Sequence, residues 1–330
     1  MKVLQGTKEI GNQMNTISNG LNELGVLCRT LTYSSNYLNY KSDLVLDLKD
    51  KNNSTKLEAL ITRLMSEYDV FHFHFGKSLQ RNNSDLPILK EIGKKVFMQH
   101  WGTDVRCYSQ AVKRNPYVQV KTHNEEKIKR RLSMLSTYVE NCIVSDYELY
   151  EDVKEHYSKI HVVPQSIDLS RYKVSRAPQN KKMLIVHAPT SPLVKGTSLI
   201  NKALEDLKNK YDFEFRLIQG MSHKEAMKIY RKADLIVDQI LIGSYGLLST
   251  ECMALGKPVI CWISEFMKDK YPVNLPIISA NPDNIKRVLS KLMRNKDGLQ
   301  EIGKKGRAYA EEHHDMRINC KKIMDIYLSK

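Results

Sequence analysis

Two patterns of apolar and polar positions alternate along this chain. Short β-type runs at residues 2–5, 26–32, 70–75, 95–99, 142–145 and 160–163 are separated by stretches whose apolar residues recur at helical spacing. In 13–24, Met14, Ile17, Leu21 and Leu24 share one face, and Gly25 follows as a stop. The second half repeats the pattern, with strands at 183–186, 214–218, 235–238 and 259–263 and helices at 198–210, 223–232 and 247–255. Strands alternating with helices in this way predict an α/β protein with parallel sheets covered by helices on both faces. The polar stretch 175–182, SRAPQNKK, reads as a linker. The expectation is therefore two doubly wound, Rossmann-like domains facing each other across a cleft: an N-terminal domain over 1–174, a C-terminal one over 183–310, and a last helix, 311–330, packing back across both.

Composition narrows the class. With 330 residues, 42% apolar and 27% charged, the chain can build two cores at ~150 residues per domain and does not resemble a disordered or collagenous sequence. Its 52 basic against 37 acidic side chains give +15, which favours anionic neighbours such as phosphates, acidic lipids or polyanionic polymers. The six cysteines form no C-x-x-C pair and sit mostly in apolar runs, as thiols of a reducing compartment do. The opening MKVLQGTKEIG is too short in apolar residues for a signal peptide or a membrane span, so a cytoplasmic protein is expected.

The strongest local signal is 244–263, SYGLLSTECMALGKPVICWI. Gly246 opens a helix that Gly256 ends and Pro258 cannot continue, and a buried strand follows. A helix start preceded by glycine offers free N–H groups to an anion. Glu251 stands one turn in, on the face of Leu247, where its carboxylate reaches the hydroxyls of a ribose whose phosphates lie on the helix end; an ordinary buried helix with a solvated glutamate fits the spacing equally well. In 187–200, HAPTSPLVKGTSLI, Lys195 precedes another helix start and adds a full charge there, unless it is only a surface lysine beside a capping Thr197 or Ser198.

Taken in order, these segments resemble the retaining glycosyltransferases of family 4, which have the GT-B fold. The resemblance covers nearly the whole chain: Gly11-Asn12 in the turn after the first strand, QHWGTDVR at 99–106, VPQSIDLSRY at 163–172, the VKGT lysine, QGMSHKEAMKIYRKADLIV, and GLLSTECMALGKPV. It implies transfer of a sugar, with retention at the anomeric carbon, from a nucleoside diphosphate donor, UDP foremost, held by residues 183–310, to a glycan, polymer or lipid-linked acceptor at the N-terminal half. By the same resemblance Lys195 holds the diphosphate, Glu251 the ribose, the amides of Gly246, Leu247 and Leu248 the phosphate oxygens, and His100 lies by the reacting sugar. Gly11 and Asn12 close over the phosphates. Thr190, Gly220, Met221, Gly243 and Tyr245 fall in the matching donor-side segments. No Asp-x-Asp element is present, and the resemblance implies no cofactor and no bound metal; cations stabilise the leaving diphosphate instead.

Two departures stand out. The family's E-x7-E pattern has its first glutamate eight positions before Glu251, where this chain has Gly243, with Asp238 or Gln239 as substitutes; the family's Gly-Arg before the lysine is replaced by Ala188, Pro189, Thr190 and Ser191. They bear on the identity of the sugar and on turnover itself. Two rival readings remain: a glycosyltransferase-like accessory subunit without turnover, and a nucleotide-sugar epimerase.

In DVFHFHFG, His72 and His74 alternate with phenylalanines and share one strand face; His72 is expected in the core and His74 facing the cleft, with no zinc because no further ligand is near. On the acceptor side stand His74, Asp104, Arg106, Lys127, Arg130 and Arg131. The run from Arg106 to Arg131 carries eight basic residues against Glu125 and Glu126, either as a solvated helix face, as a dock for the inner face of an anionic membrane, or as a grip on a phosphate-bearing acceptor. The usual nucleic-acid motifs are absent, so nucleic acid is not expected as a partner.

Overall fold

The computed structural model describes residues 1–33, 38, 40–46, 53–174 and 180–329; the linker expected at 175–182 falls in large part outside the described residues. In chain order the elements are β1 (Lys2–Thr7), α1 (Gln13–Glu23), β2 (Leu27–Thr32), β3 (Leu44–Val45), α2 (Asn53–Glu67), β4 (Val70–His74), α3 (Asp85–Glu91), β5 (Lys95–Gln99), α4 (Tyr108–Ala111), α5 (Glu125–Tyr138), β6 (Asn141–Val144), α6 (Tyr147–Val153) and β7 (Lys159–Val162). Then follow β8 (Met183–His187), α7 (Pro192–Lys195), α8 (Thr197–Glu205), β9 (Phe213–Leu217), α9 (His223–Tyr230), β10 (Leu235–Val237), α10 (Leu247–Ala254), β11 (Val259–Ile260), α11 (Glu265–Lys268), β12 (Ile277–Ile278), α12 (Ile285–Arg294), α13 (Leu299–His313) and α14 (Met316–Leu328). Among the described residues no helix is long and apolar enough to cross a membrane.

The chain forms two compact units. The first comprises residues 1–106, 124–166 and 316–330, and the second 107–123 and 167–315. The segment 107–123, counted with the N-terminal half on sequence grounds, thus belongs to the second unit, where the Asn115 amide donates to the carbonyls of Leu241 (2.7 Å) and Ile242 (2.8 Å). The closing stretch is likewise two helices rather than one, α13 in the second unit and α14 in the first.

The first unit is a seven-stranded parallel sheet in the order β3-β2-β1-β4-β5-β6-β7. Val3, Val70, Phe97 and Ile143 of its strands pack with Ile17 and Leu21 of α1 and with Met316, Cys320, Ile323 and Tyr327 of α14. The second unit is a five-stranded parallel sheet in the order β12-β11-β10-β8-β9. Strand alternation splits its core in two. Met183, Ile185, Leu235 and Val237 meet α8 and α12 on one face; Leu184, Val186, Ile236 and Val259 meet α9, α10 and α13 on the other.

Helices α10 and α13 touch through glycine. A Cβ added at Gly303 would stand 2.1 Å from the Gly256 carbonyl oxygen, closer than any real contact. Gly303→Ala must therefore push the helices apart, and a loss of ~1–3 kcal/mol is expected. Urea melts check this; an unchanged midpoint would show that the helix pair yields freely.

Candidate functional site

In open parallel sheets, ligands bind outside the C-terminal strand ends where the strand order reverses. In the second unit that reversal lies between β8 and β10, because β9 pairs on one side of β8 and β10 on the other. The loop after β8 carries Thr190, which is exposed, and leads through α7 to Lys195. The loop after β10 begins with Asp238 and Gln239 and ends at Gly246, the N-cap of α10.

Lys195 Nζ lies 2.5 Å from Asp238 Oδ1. Oδ2 of the same carboxylate accepts from the Ser249 hydroxyl (2.6 Å) and from the Ser249 N–H (3.2 Å), so Asp238 joins the lysine to the first turn of α10. Burial alone would raise the Asp238 carboxyl; the Lys195 charge and hydrogen bond, with Ser249, outweigh it and hold the group below the ordinary carboxylate range. The N–H groups of Gly246, Leu247 and Leu248 find no acceptor among the described residues. Beneath the lysine, His187 Nδ1–H donates to the Val237 carbonyl (2.8 Å), which leaves Nε2 to accept from Thr197 (2.8 Å). Burial lowers this imidazole to about 4, so it stays neutral beside Lys195.

Glu251 is nearly buried, at 6% exposure. Its Oε1 accepts from the Tyr172 hydroxyl and from His223 Nε2–H, each at 2.7 Å, whereas Oε2 has no hydrogen-bond partner among the described residues. His223 opens α9, after the exposed Gly220 and Met221 that follow β9. Tyr172 and His223 escaped the sequence reading. Tyr172 ends the VPQSIDLSRY segment, and His223 follows the capping Ser222, so both had a local signal, but their convergence on Glu251 spans 79 and 28 positions of chain.

At Gly243, where the resemblance led to the expectation of a carboxylate, a side chain has no room. Gly243 adopts φ +87°, and a Cβ there would lie 2.9 Å from Ser264 Cβ and 3.0 Å from its Oγ, while the Ser264 N–H donates to the Gly243 carbonyl at 2.9 Å. A glutamate cannot be housed without moving that turn. Of the two substitutes, Asp238 has both oxygens engaged. Gln239 uses Nε2 on the Ser244 carbonyl (2.5 Å) and keeps Oε1 beside Gly246. Gly243→Glu is expected to lower the melting temperature without tightening nucleotide binding, as read by thermal shift; a tighter, stable variant would contradict this packing. Tyr245 turns into the core, where its hydroxyl meets Tyr309 (3.3 Å) and His314 Nε2 (3.1 Å).

In the first unit, several expected site residues are enclosed. His100 is fully buried, with Nδ1 on Asp104 Oδ2 (2.6 Å) and Nε2 on the Tyr157 hydroxyl (2.8 Å), so both ring nitrogens are spent. Asp104 also accepts from the Trp101 N–H (3.0 Å). Burial raises its carboxyl, but the His100 charge and these bonds lower it further, and the net shift is downward.

His74, expected to face the cleft, is fully buried beneath Trp101, whose ring stacks on it at 6.0 Å. The indole N–H donates to His74 Nδ1 (3.2 Å), so Nε2 carries the proton and donates to Gln5 Oε1 (2.7 Å). Arg106, placed on the acceptor surface by its charge, is instead a buried bidentate partner of Glu148 (2.9 and 2.5 Å). Burial of a guanidinium is tolerated because a carboxylate matches both its forks. Gly11 and Asn12 both take left-handed backbone before α1, whose Met14 and Asn15 N–H groups donate to Glu9 at 3.2 Å. Arg131 lies against Gly76 and donates to the Asp104 carbonyl, while Lys127 and Arg130 are exposed on α5. Among the described residues, no group of three or more His, Cys, Asp or Glu is placed to hold a metal.

No family profile matches the sequence, and no curated protein matches it. Solved structures do. Over the full length of both chains, the fold is similar to that of Anabaena HepE in complex with UDP-glucose, at 11% identity and TM-score 0.69. It is also similar to a glycosyltransferase from Rickettsia africae, at 13% identity and TM-score 0.68, covering 99% of this chain and 97% of that one. The UDP-GlcNAc 2-epimerase of Neisseria meningitidis bound to UDP-GlcNAc aligns over 99% of each chain, at 14% identity and TM-score 0.59. At such identities the likeness is one of fold, and the fold is α/β with two Rossmann-like units, GT-B.

Proposed function

We propose that this protein is a glycosyltransferase that moves a hexose-type unit from a nucleoside diphosphate sugar to a glycan, polymer or lipid-linked acceptor, with retention and without a metal. The observation that carries the reading is the convergence, at the switch point of the five-stranded sheet, of Lys195, the open amides at the start of α10, and Glu251 with a free carboxylate oxygen. A diphosphate fits the lysine and amides, and a ribose diol fits Glu251 Oε2. Gln239 Oε1, beside Gly246, is left for a hydroxyl of the donor sugar. UDP is the preferred nucleotide, since HepE of the same fold holds UDP-glucose.

In the reaction the bond from the anomeric carbon to the diphosphate oxygen breaks, the acceptor oxygen bonds to that carbon, and the acceptor proton departs. Negative charge grows on the diphosphate as the bond stretches, so donors fixed in advance stabilise the transition state more than the ground state. Lys195 has further N–H groups beyond the one on Asp238, and that carboxylate holds it in place for the phosphate. The acceptor side belongs, in this reading, to the first unit, and the protein works in the cytoplasm or at the inner face of the cell membrane.

A second reading has its own observation: the epimerase of the same fold takes UDP-GlcNAc. Incubation with UDP, GDP, ADP and TDP sugars, with and without a lipid and glycan extract as acceptor source, separates the two. Extract-dependent release of free nucleotide supports transfer, whereas an altered sugar still joined to its nucleotide supports epimerisation. Binding with neither product describes an accessory subunit and overturns both.

A further inference from the structure

The first unit has a switch point of its own. Strand order reverses between β1 and β4, which are neighbours in the sheet, and the loops leaving their C-terminal ends stand where open parallel sheets take ligands. Lys8 follows β1 directly, and Lys77 stands three residues past β4. The Thr7 hydroxyl donates to the Ser78 carbonyl (3.0 Å) and ties the two loops together. From α5, Arg131 lies over Gly76, where a Cβ would stand 3.3 Å from its Nε. Lys127 is one helical turn earlier on the same face. Arg81 completes the group on a turn that is cross-braced rather than loose: Asp85 accepts from the Ser78 hydroxyl (2.5 Å) and from the Leu79 and Gln80 N–H groups (3.0 Å each).

Four of these cations are exposed and Arg131 is half-buried. None of the five forms an ion pair among the described residues, although many basic side chains elsewhere do. Of the nearby acids, Glu9 is spent on the first turn of α1 and Asp85 on its own loop, while the buried Asp104, which feels the Arg131 charge, is engaged with His100. Lys77 feels the result. Loss of solvent, and then the charges of Arg131, Lys127, Lys8 and Arg81, push its ammonium below the ordinary lysine value. A set of neighbouring, mutually repelling cations is relieved by an anion, and one of more than a single charge relieves it best.

We infer that Lys8, Lys77, Arg81, Lys127 and Arg131 form a subsite for the phosphoryl group of a phosphate-bearing acceptor. Phosphoryl oxygens suit the set because a phosphate monoester carries about two negative charges and three strong acceptors. The assignment to an acceptor rests on the transferase reading, since the donor diphosphate already has its own cation and amides in the second unit. Anion binding itself does not depend on that reading.

The test is titration of the full-length protein with inorganic pyrophosphate, and separately with phosphatidylcholine vesicles with and without phosphatidic acid, each in saturating UDP. Wild type is compared with Lys77→Ala/Lys127→Ala, two exposed positions whose loss leaves the fold intact. Affinity for one or both phosphoryl probes is expected to fall at least ~10-fold in the variant, with UDP affinity unchanged. A loss confined to pyrophosphate points to a soluble phosphate, and one confined to phosphatidic acid vesicles to a lipid-borne phosphate. Equal affinity of variant and wild type for both probes, or a loss seen only with Lys195→Ala, overturns the subsite. If wild type binds no UDP yet pyrophosphate binding still depends on Lys77 and Lys127, the subsite stands and the donor reading falls.

Discussion

Removal of the Lys195 ammonium is expected to lower turnover by ~10²- to 10³-fold, the effect of deleting one preorganised donor aimed at developing charge. The same change strips Asp238 of its cation. Asp238 has no exposed surface and would keep only Ser249, so Lys195→Ala alone should also destabilise the fold, by up to ~3–5 kcal/mol for breaking a buried pair. The two effects separate in a second variant. Lys195→Ala/Asp238→Asn removes the orphaned charge while Asn still accepts from Ser249, so its melting temperature should recover toward wild type and its turnover should not. Full turnover in a stable double variant would remove Lys195 from the chemistry.

Loss of the Glu251 carboxylate should act on affinity rather than on the chemical step. Hydrogen bonds to a charged group are worth ~1.5–3 kcal/mol, so Glu251→Ala is expected to weaken nucleotide binding by roughly 10- to 100-fold. Tyr172 and His223 would lose their shared acceptor at the same time. Glu251→Gln keeps an oxygen for both and loses only the charge, and should fall between alanine and wild type. Calorimetric titration of UDP into the three proteins checks the order; equal affinity in all three would end the ribose assignment.

Strand and helix placement was legible where the chain carried a local period. β5 has the predicted bounds, and β1, β4 and β8 differ from theirs only by a residue or two, because alternating or continuous apolar runs need no distant information. β3 and β12 are two residues each, too short to carry a period, and went unseen. The strand expected over 259–263 stops at Ile260, since Trp262 and Ser264 bond back to Gln239 and Gly243 instead of continuing the ladder. The attachment of 107–123 to the second unit rests on Asn115 reaching Leu241 and on Tyr117 packing edge-on against Trp262 at 4.9 Å, contacts that no local pattern announces.

The candidate site divides in the same way. Lys195, Gly246 and Glu251 are marked by helix starts and glycine stops, which are local features. Asp238, Tyr172 and His223 act through tertiary partners, and so does the burial of His74 and Arg106. His74, expected to face the cleft, and Arg106, expected on the acceptor side, become core residues once Trp101, Gln5 and Glu148 satisfy them. Gly243 is the clearest instance: its departure from the glutamate pattern looks like a loss in the sequence, and in three dimensions Ser264 occupies the space that a side chain would need.

A crystal structure of the protein grown with UDP tests the donor site most directly. Diphosphate oxygens are expected within hydrogen-bond distance of Lys195 Nζ and of the Gly246, Leu247 and Leu248 amides, with the ribose hydroxyls on Glu251. Nucleotide bound elsewhere, with Lys195 still closed on Asp238 and Glu251 untouched, would contradict that placement.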